Sequence, residues 1–174
     1  SIMPIVVNPN TTPLFTQLGP YCQGATPDLL PATSNNGIAG TWSPSSIATS
    51  AAGTAVYTFT PTSAAPATCA VPTNMSIVVT TLPSAIISGT TTVCENGAQP
   101  NITFTGSNST APYTFTYSIN GGTSQTITTT ASSSVVTLPV PTATPGTYTY
   151  SVSNVSVGSC ANPISANNTA VVTV

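Results

Sequence analysis

Lysine, arginine and histidine are all missing from this chain, and only Asp28 and Glu95 carry a side-chain carboxylate. An average soluble domain draws about a quarter of its residues from the charged set, and the strongest polar helix formers belong to that set. Without them the polar positions fall to Thr, Ser and Asn, which favour strands, caps and turns. Val, Ile, Thr, Tyr and Phe supply the rest of the pattern while Leu is scarce, so the chain is expected to be all-β. Its apolar residues come in short runs such as IVV, SIVV and AVV. These fall well below the roughly eighteen residues that cross a bilayer, and no membrane insertion is expected.

Internal repetition constrains the organisation further. The opening SIMPIVVNPN is echoed by NMSIVVTTLP, and Met3 with Met75, Ile5 with Ile77, Val7 with Val79 and Cys22 with Cys94 all stand 72 apart. A third terminal strand, AVVTV, follows 94 residues after the second when Val171 is set against Ile77. This predicts two modules, 11–82 and 83–174, with residues 1–10 forming the terminal strand of a preceding module plus a linker. Residues 1–7 are then expected to complete a sheet that the following residues do not make. Either a preceding module of one polypeptide or, by donor-strand insertion, a neighbouring subunit would own that sheet. No leader peptide stands at Ser1, which reads as a mature product or an excised segment.

Within the modules the apolar pattern has period two. APYTFTYSINGGTSQTITTT reads as a hairpin turning at Asn120-Gly121-Gly122, with Tyr113, Phe115 and Tyr117 on one face. GTAVYTFTPT and PGTYTYSVSNV occupy matching places, each opened by glycine and leading to the module's second cysteine. Further strands are expected at 14–18, 40–43, 102–106 and 135–139. Short strands separated by turn signals predict β-sandwiches with Greek-key connections. The brief proline-bearing joints Asn8-Pro9-Asn10 and Thr80-Thr81-Leu82-Pro83 predict a semi-rigid rod.

Cys22, Cys69, Cys94 and Cys160 form no CxxC pair and have no histidine beside them, which disfavours a zinc site and favours disulfides. That points to an oxidising compartment. Four cysteines allow three connectivities. Each module has one cysteine near its start and one before its last strand, so Cys22–Cys69 and Cys94–Cys160, one bridge per module, are expected. Each would close a long loop and contribute about 4 kcal/mol.

Catalytic chemistry is hard to assemble from this inventory. Hydroxyls are abundant but lack a His or Lys base, and Asp28 and Glu95 belong to different modules. No catalytic residue, metal ligand set or cofactor is expected, and a lone carboxylate would hold calcium weakly at best. The absence of basic side chains argues against nucleic acid as a partner. Trp42, Tyr57 and Phe59 in the first module, and Tyr113, Phe115, Tyr117, Tyr148 and Tyr150 in the second, are expected mainly to pack a core. Trp42 is the candidate for a glycan contact. Sequons at Asn10, Asn74, Asn101, Asn108, Asn154 and Asn167 fit surface glycosylation but arise easily in so Asn- and Thr-rich a chain.

FTQLGPYCQGATPDLLPATSNNGIAGTWSPSSIAT, followed by AGTAVYTFTPTSAAPATC, resembles the immunoglobulin-like repeats of very large secreted adhesins of gliding Bacteroidetes. SGTTTVCENGAQPNITFTGSNSTAPYTFTYSINGG resembles a second repeat type of the same proteins. The resemblance implies two tandem Ig-like modules, export by the type IX route, and display at the cell surface as an adhesin or filament. The partners it implies are neighbouring repeats or filament subunits, and surface polysaccharide. The antibody pattern is not reproduced: Trp42 follows Cys22 by 20 residues and Cys69 follows Tyr57 by 12. The expected function is thus a protease-resistant structural stalk, with a glycan-binding module as the alternative.

Overall fold

A computed structural model of the chain describes residues 9–62 and 69–174. The terminal strand expected at 1–7 lies outside the described residues. The described chain is all-β, without a helix, and divides into two compact units, 1–80 and 81–174.

The first unit holds β1 (Asn10–Thr11), β2 (Tyr21–Cys22), β3 (Gly40–Ser43), β4 (Gly53–Pro61), β5 (Cys69–Ala70) and β6 (Thr73–Thr80). One sheet runs β2-β6-β4-β3, with β2 parallel to β6 and the other pairs antiparallel. Apart from it, β1 lies parallel to β5. Alternation decides which face is inside. Met75, Ile77 and Val79 of β6 point into the core beside Tyr57 and Phe59 of β4 and Trp42 of β3, while Asn74, Ser76 and Val78 point out.

Among the described residues, the cover of this core is largely irregular chain. Phe15, Leu18, Leu30 and Ile38 pack onto it from irregular chain. The strand expected at 14–18 is not formed, because its backbone finds side-chain partners instead. Asn36 Oδ1 accepts from Leu14 N–H at 3.0 Å. Gln17 Nε2 donates at 2.8 Å to the carbonyl of Ser76, where a neighbouring strand would otherwise bond β6. Prolines at 13 and 20 bound the segment and withhold two ladder donors.

The second unit holds β7 (Ser84–Ser88), β8 (Thr91–Thr92), β9 (Asn101–Ser107), β10 (Thr114–Ile119), β11 (Gln125–Thr128), β12 (Val135–Pro139), β13 (Thr147–Val157), β14 (Cys160–Pro163) and β15 (Thr169–Thr173). One sheet runs β11-β10-β13-β15-β8 with β14 also on β13, and the other runs β12-β9-β7. The two form a sandwich-like pair whose shared core takes Ala85, Ile87, Ile102 and Phe104 from one sheet and Phe115, Tyr117, Tyr150, Val152 and Val172 from the other. The hairpin β10–β11 turns where expected. Asn120 at φ 51° and Gly121 at φ 68° supply the two left-handed residues of a tight turn that matches strand twist.

Candidate functional site

The cysteines occupy two kinds of station. Cys22 ends β2 opposite Thr80, the last residue of the last strand. It opens the turn Cys22-Gln23-Gly24-Ala25, closed by Ala25 N–H to Cys22 O at 3.0 Å, with Gly24 at φ 78°. A threonine clasps this turn from outside: Gly24 N–H donates to Thr49 O at 2.8 Å and Thr49 Oγ1 donates to Ala25 O at 2.6 Å.

The second unit builds the same device from different residues. Val93 N–H donates to Thr173 O at 2.9 Å, just beyond β8, and Cys94 opens the turn Cys94-Glu95-Asn96-Gly97. Gly97 N–H closes it on Cys94 O at 3.0 Å, with Asn96 at φ 57°. Here Asn96 N–H donates to Thr142 O at 2.8 Å and Thr142 Oγ1 to Gly97 O at 2.7 Å. Thr142 is buried, so the clasp belongs to the folded interior. Sequence reasoning missed both threonines. No local pattern marks them, since Thr49 lies 27 residues after Cys22 and Thr142 lies 48 after Cys94.

The other two cysteines each open the short strand that precedes the last one, at the end where the chain enters the unit. Cys69 pairs with Asn10. Cys160 pairs with Val157 across a two-residue loop, and Asn162 Nδ2 ties that hairpin to Pro83 O at 2.8 Å.

Cys22 and Cys160 are disulfide-bonded, whereas Cys69 and Cys94 are free and exposed. The expected bridges Cys22–Cys69 and Cys94–Cys160, one per module, are therefore corrected. Strand length is the physical reason. Cys22 stands at the end of β6 and Cys69 before its beginning, and a strand of eight residues spans about 23 Å. Likewise Thr173, beside Cys94, pairs with the first residue of the eleven-residue β13, while Cys160 pairs with its last, about 33 Å along. A disulfide requires Cα atoms within about 7 Å.

The acids are exposed and lie in separate units. Asp28 Oδ2 accepts from the Tyr21 hydroxyl at 2.8 Å, and its own N–H donates to Tyr21 Oη at 3.3 Å. Burial, and then the hydrogen bond to Asp28, push the Tyr21 hydroxyl above its ordinary pKa. Glu95 sits in the Cys94 turn. Among the described residues no three His, Cys, Asp or Glu side chains gather as a metal site requires.

The aromatics are mostly interior. Trp42 is 8% exposed, its ring packs 4.8 Å from Phe15 and 5.2 Å from Phe59 between centroids, and Nε1 donates to Pro31 O at 2.8 Å. Neither face of the indole is presented for a sugar to stack on. Tyr57, Phe59, Tyr113, Phe115, Tyr117 and Tyr150 are buried as well. Tyr148 is half-buried and lines a largely apolar depression of about 320 Å³ with Ile119, Val140, Pro141, Thr144 and Tyr150. Burial raises the pKa of Tyr117, and burial followed by the nearby Tyr117 and Tyr148 raises that of Tyr150.

No family model matches the sequence, and no curated protein matches it significantly.

Proposed function

We propose that the chain is a structural segment of an extracellular adhesin or surface filament, serving as a semi-rigid, protease-resistant stalk of immunoglobulin-like modules. The observation that carries the reading is a serial pair of β units in a chain without a single Lys or Arg. Proteases that cut after basic residues find no site in it, folded or unfolded. Two further features support the reading. The strand order β11-β10-β13-β15-β8 against β12-β9-β7 is the order an Ig-like Greek-key sandwich would have. The disulfide suits an oxidising exterior.

Antibodies raised against the chain should label the surface of intact source cells. Label confined to the interior of permeabilised cells would overturn the reading. Reduced, denatured chain should survive trypsin intact while a chymotrypsin-like protease degrades it.

A second reading, glycan binding, is favoured by the depression around Tyr148 rather than by Trp42. Loss of polysaccharide retention in Tyr148→Ala, with an unchanged thermal transition, would establish it.

A further inference from the structure

We propose that Asn96 is a deamidation site guarded by the Thr142 clasp, and that its conversion to isoaspartate unlatches the turn that Cys94 opens. The co-reactant is water, and the inference stands apart from the stalk reading.

An asparagine followed by glycine can close a succinimide, because glycine has no side chain to hinder attack by its own nitrogen. The chain has three such pairs, Asn36-Gly37, Asn96-Gly97 and Asn120-Gly121. Two of the side-chain amides are held. Asn36 Oδ1 accepts from Leu14 N–H at 3.0 Å and from Ser34 Oγ at 2.7 Å, and its Nδ2 donates to Thr12 O at 3.0 Å. Asn120 Oδ1 accepts from Thr149 N–H at 2.7 Å. Asn96 is exposed, and its restraint lies in the backbone around it. Gly97 N–H donates to Cys94 O at 3.0 Å, while Thr142 grips both flanking peptides, accepting from Asn96 N–H at 2.8 Å and donating to Gly97 O at 2.7 Å. With these three bonds in place the Gly97 nitrogen cannot turn toward Cγ of Asn96. Attack therefore waits on local opening of the turn, which Thr142 opposes.

The turn itself selects the reactive pair. Its third residue sits at φ 57°, where Asn is among the few side chains accepted, and a Cβ on the fourth would stand 2.9 Å from Cys94 O. The matching turn of the first unit, Cys22-Gln23-Gly24-Ala25, puts glycine at the left-handed position instead, with φ 78°. Thr49 thus clasps a turn with no asparagine in it.

Once the turn opens, hydroxide removes the Gly97 amide proton and the nitrogen attacks Cγ of Asn96, forming a C–N bond as the side-chain amide leaves as ammonia. Water then opens the succinimide. Cleavage at the Cγ carbonyl gives aspartate with the original backbone. Cleavage at the α-carbonyl gives isoaspartate, in which the chain runs through Cβ and Cγ. The extra main-chain carbon lies between Asn96 N–H and Gly97 O, the two groups that Thr142 holds, so both bonds cannot be re-formed in register. The new carboxylate also stands next to Glu95. The next bond along, Val93 N–H to Thr173 O at 2.9 Å, then borders a loosened turn at the end of the last strand.

Storage of the purified chain at mildly alkaline pH, followed by digestion with a chymotrypsin-like protease and mass spectrometry, reads the three pairs separately. Asn96 should convert about 5–30-fold faster in Thr142→Val than in the wild type, while Asn36 and Asn120 keep their wild-type rates. Thr142→Ser, which keeps the hydroxyl, should restore the slow conversion. In aged wild type the isoaspartate fraction should exchange the amide hydrogens of residues 93 and 96 faster than Asn96→Asp does, since that variant gains the carboxylate without the extra carbon. Equal conversion of Asn96 in the wild type and Thr142→Val would overturn the guard. So would a rise at Asn120 in step with Asn96, which reports unfolding of the whole unit, or a Thr142→Ser variant as fast as Thr142→Val. Equal exchange in the isoaspartate form and Asn96→Asp would overturn the unlatching.

Discussion

The second unit closes its core between two sheets, whereas among the described residues of the first the four-stranded sheet β2-β6-β4-β3 carries the core and irregular chain packs onto it. Both draw on the same residue types, and the inner faces of β4 and β6 look much like those of β10 and β13: Tyr57, Phe59, Met75 and Ile77 against Phe115, Tyr117, Tyr150 and Val152. The difference lies in what covers them. In the second unit β9 is paired along both its edges, by β7 on one side and β12 on the other. In the first, Gln17, Asn36 and Ser34 supply hydrogen bonds that a second sheet would have supplied, and Phe15 and Leu18 supply the apolar cover. A sandwich half can thus be replaced by loop, provided side-chain amides and hydroxyls take over the satisfaction of the backbone.

Truncating the two cores in parallel tests whether they stand apart. Phe59→Ala and Phe104→Ala each remove a fully buried ring and should cost about 3–5 kcal/mol. Trp42 is the only tryptophan, and it lies in the first core, so its fluorescence reports that core alone. Phe59→Ala should lower the Trp42 transition in urea, while Phe104→Ala should leave it in place and lower the second change seen by circular dichroism. One transition shifting equally in both variants would break the comparison.

Two close backbone approaches sharpen it at smaller scale. A Cβ at Gly106 would stand 2.4 Å from the Tyr113 ring, and one at Gly40 would stand 2.4 Å from the Phe59 ring and 2.5 Å from the Thr60 carbonyl. Overpacking of this kind costs about 1–3 kcal/mol. Gly40→Ala should be the more damaging of the two in urea unfolding, because a backbone carbonyl cannot rotate aside as a ring can.

The polar roof and the clasps come next. Gln17→Ala deletes donations to Ser76 O and Leu18 O and should lower the Trp42 transition by about 1 kcal/mol. Thr142→Val, which leaves the Gly97 carbonyl unpaired, should cost about 1–3 kcal/mol in the second unit alone.

The smallest expected effect is on alkaline pH. Tyr21, Tyr117 and Tyr150 have folded pKa values raised above the ordinary value. The folded state therefore holds protons that the unfolded state has lost. The stability this provides is fully present below about pH 10 and falls as pH rises through the folded values. Thermal melts should decline from about pH 10 upward, and Tyr150→Phe should make that decline shallower. A melting temperature that rises with pH in this range would reverse the sign and exclude the mechanism.

Much of the strand pattern was legible in the sequence because it is local. Alternation places Phe115 and Tyr117 inside, and Asn120-Gly121 marks its turn through φ alone, so β3, β12 and the β10–β11 hairpin stand where they were expected. At 14–18 the same reasoning failed. Period two gives a segment's preference but not whether a partner edge is open to it, and Gln17 filled that edge first. Trp42 was weighed as a contact residue, and its burial depends on Phe15, 27 positions earlier and in loop.

By itself the sequence determined the all-β character, the apolar faces of the strands and the poverty of titratable groups, since each follows from residue identity and nearest neighbours. Tertiary structure alone decided which cysteines are bonded and which are free. Order along the chain suggested that Cys22 belongs with Cys69 and Cys94 with Cys160, but order carries no length. Once β6 and β13 are extended at about 3.3 Å per residue, the members of each expected pair stand at opposite ends of a unit. The clasps of Thr49 and Thr142, each a contact across more than twenty residues of chain, fix Cys22 and Cys94 at matching stations that no reading of neighbours could locate.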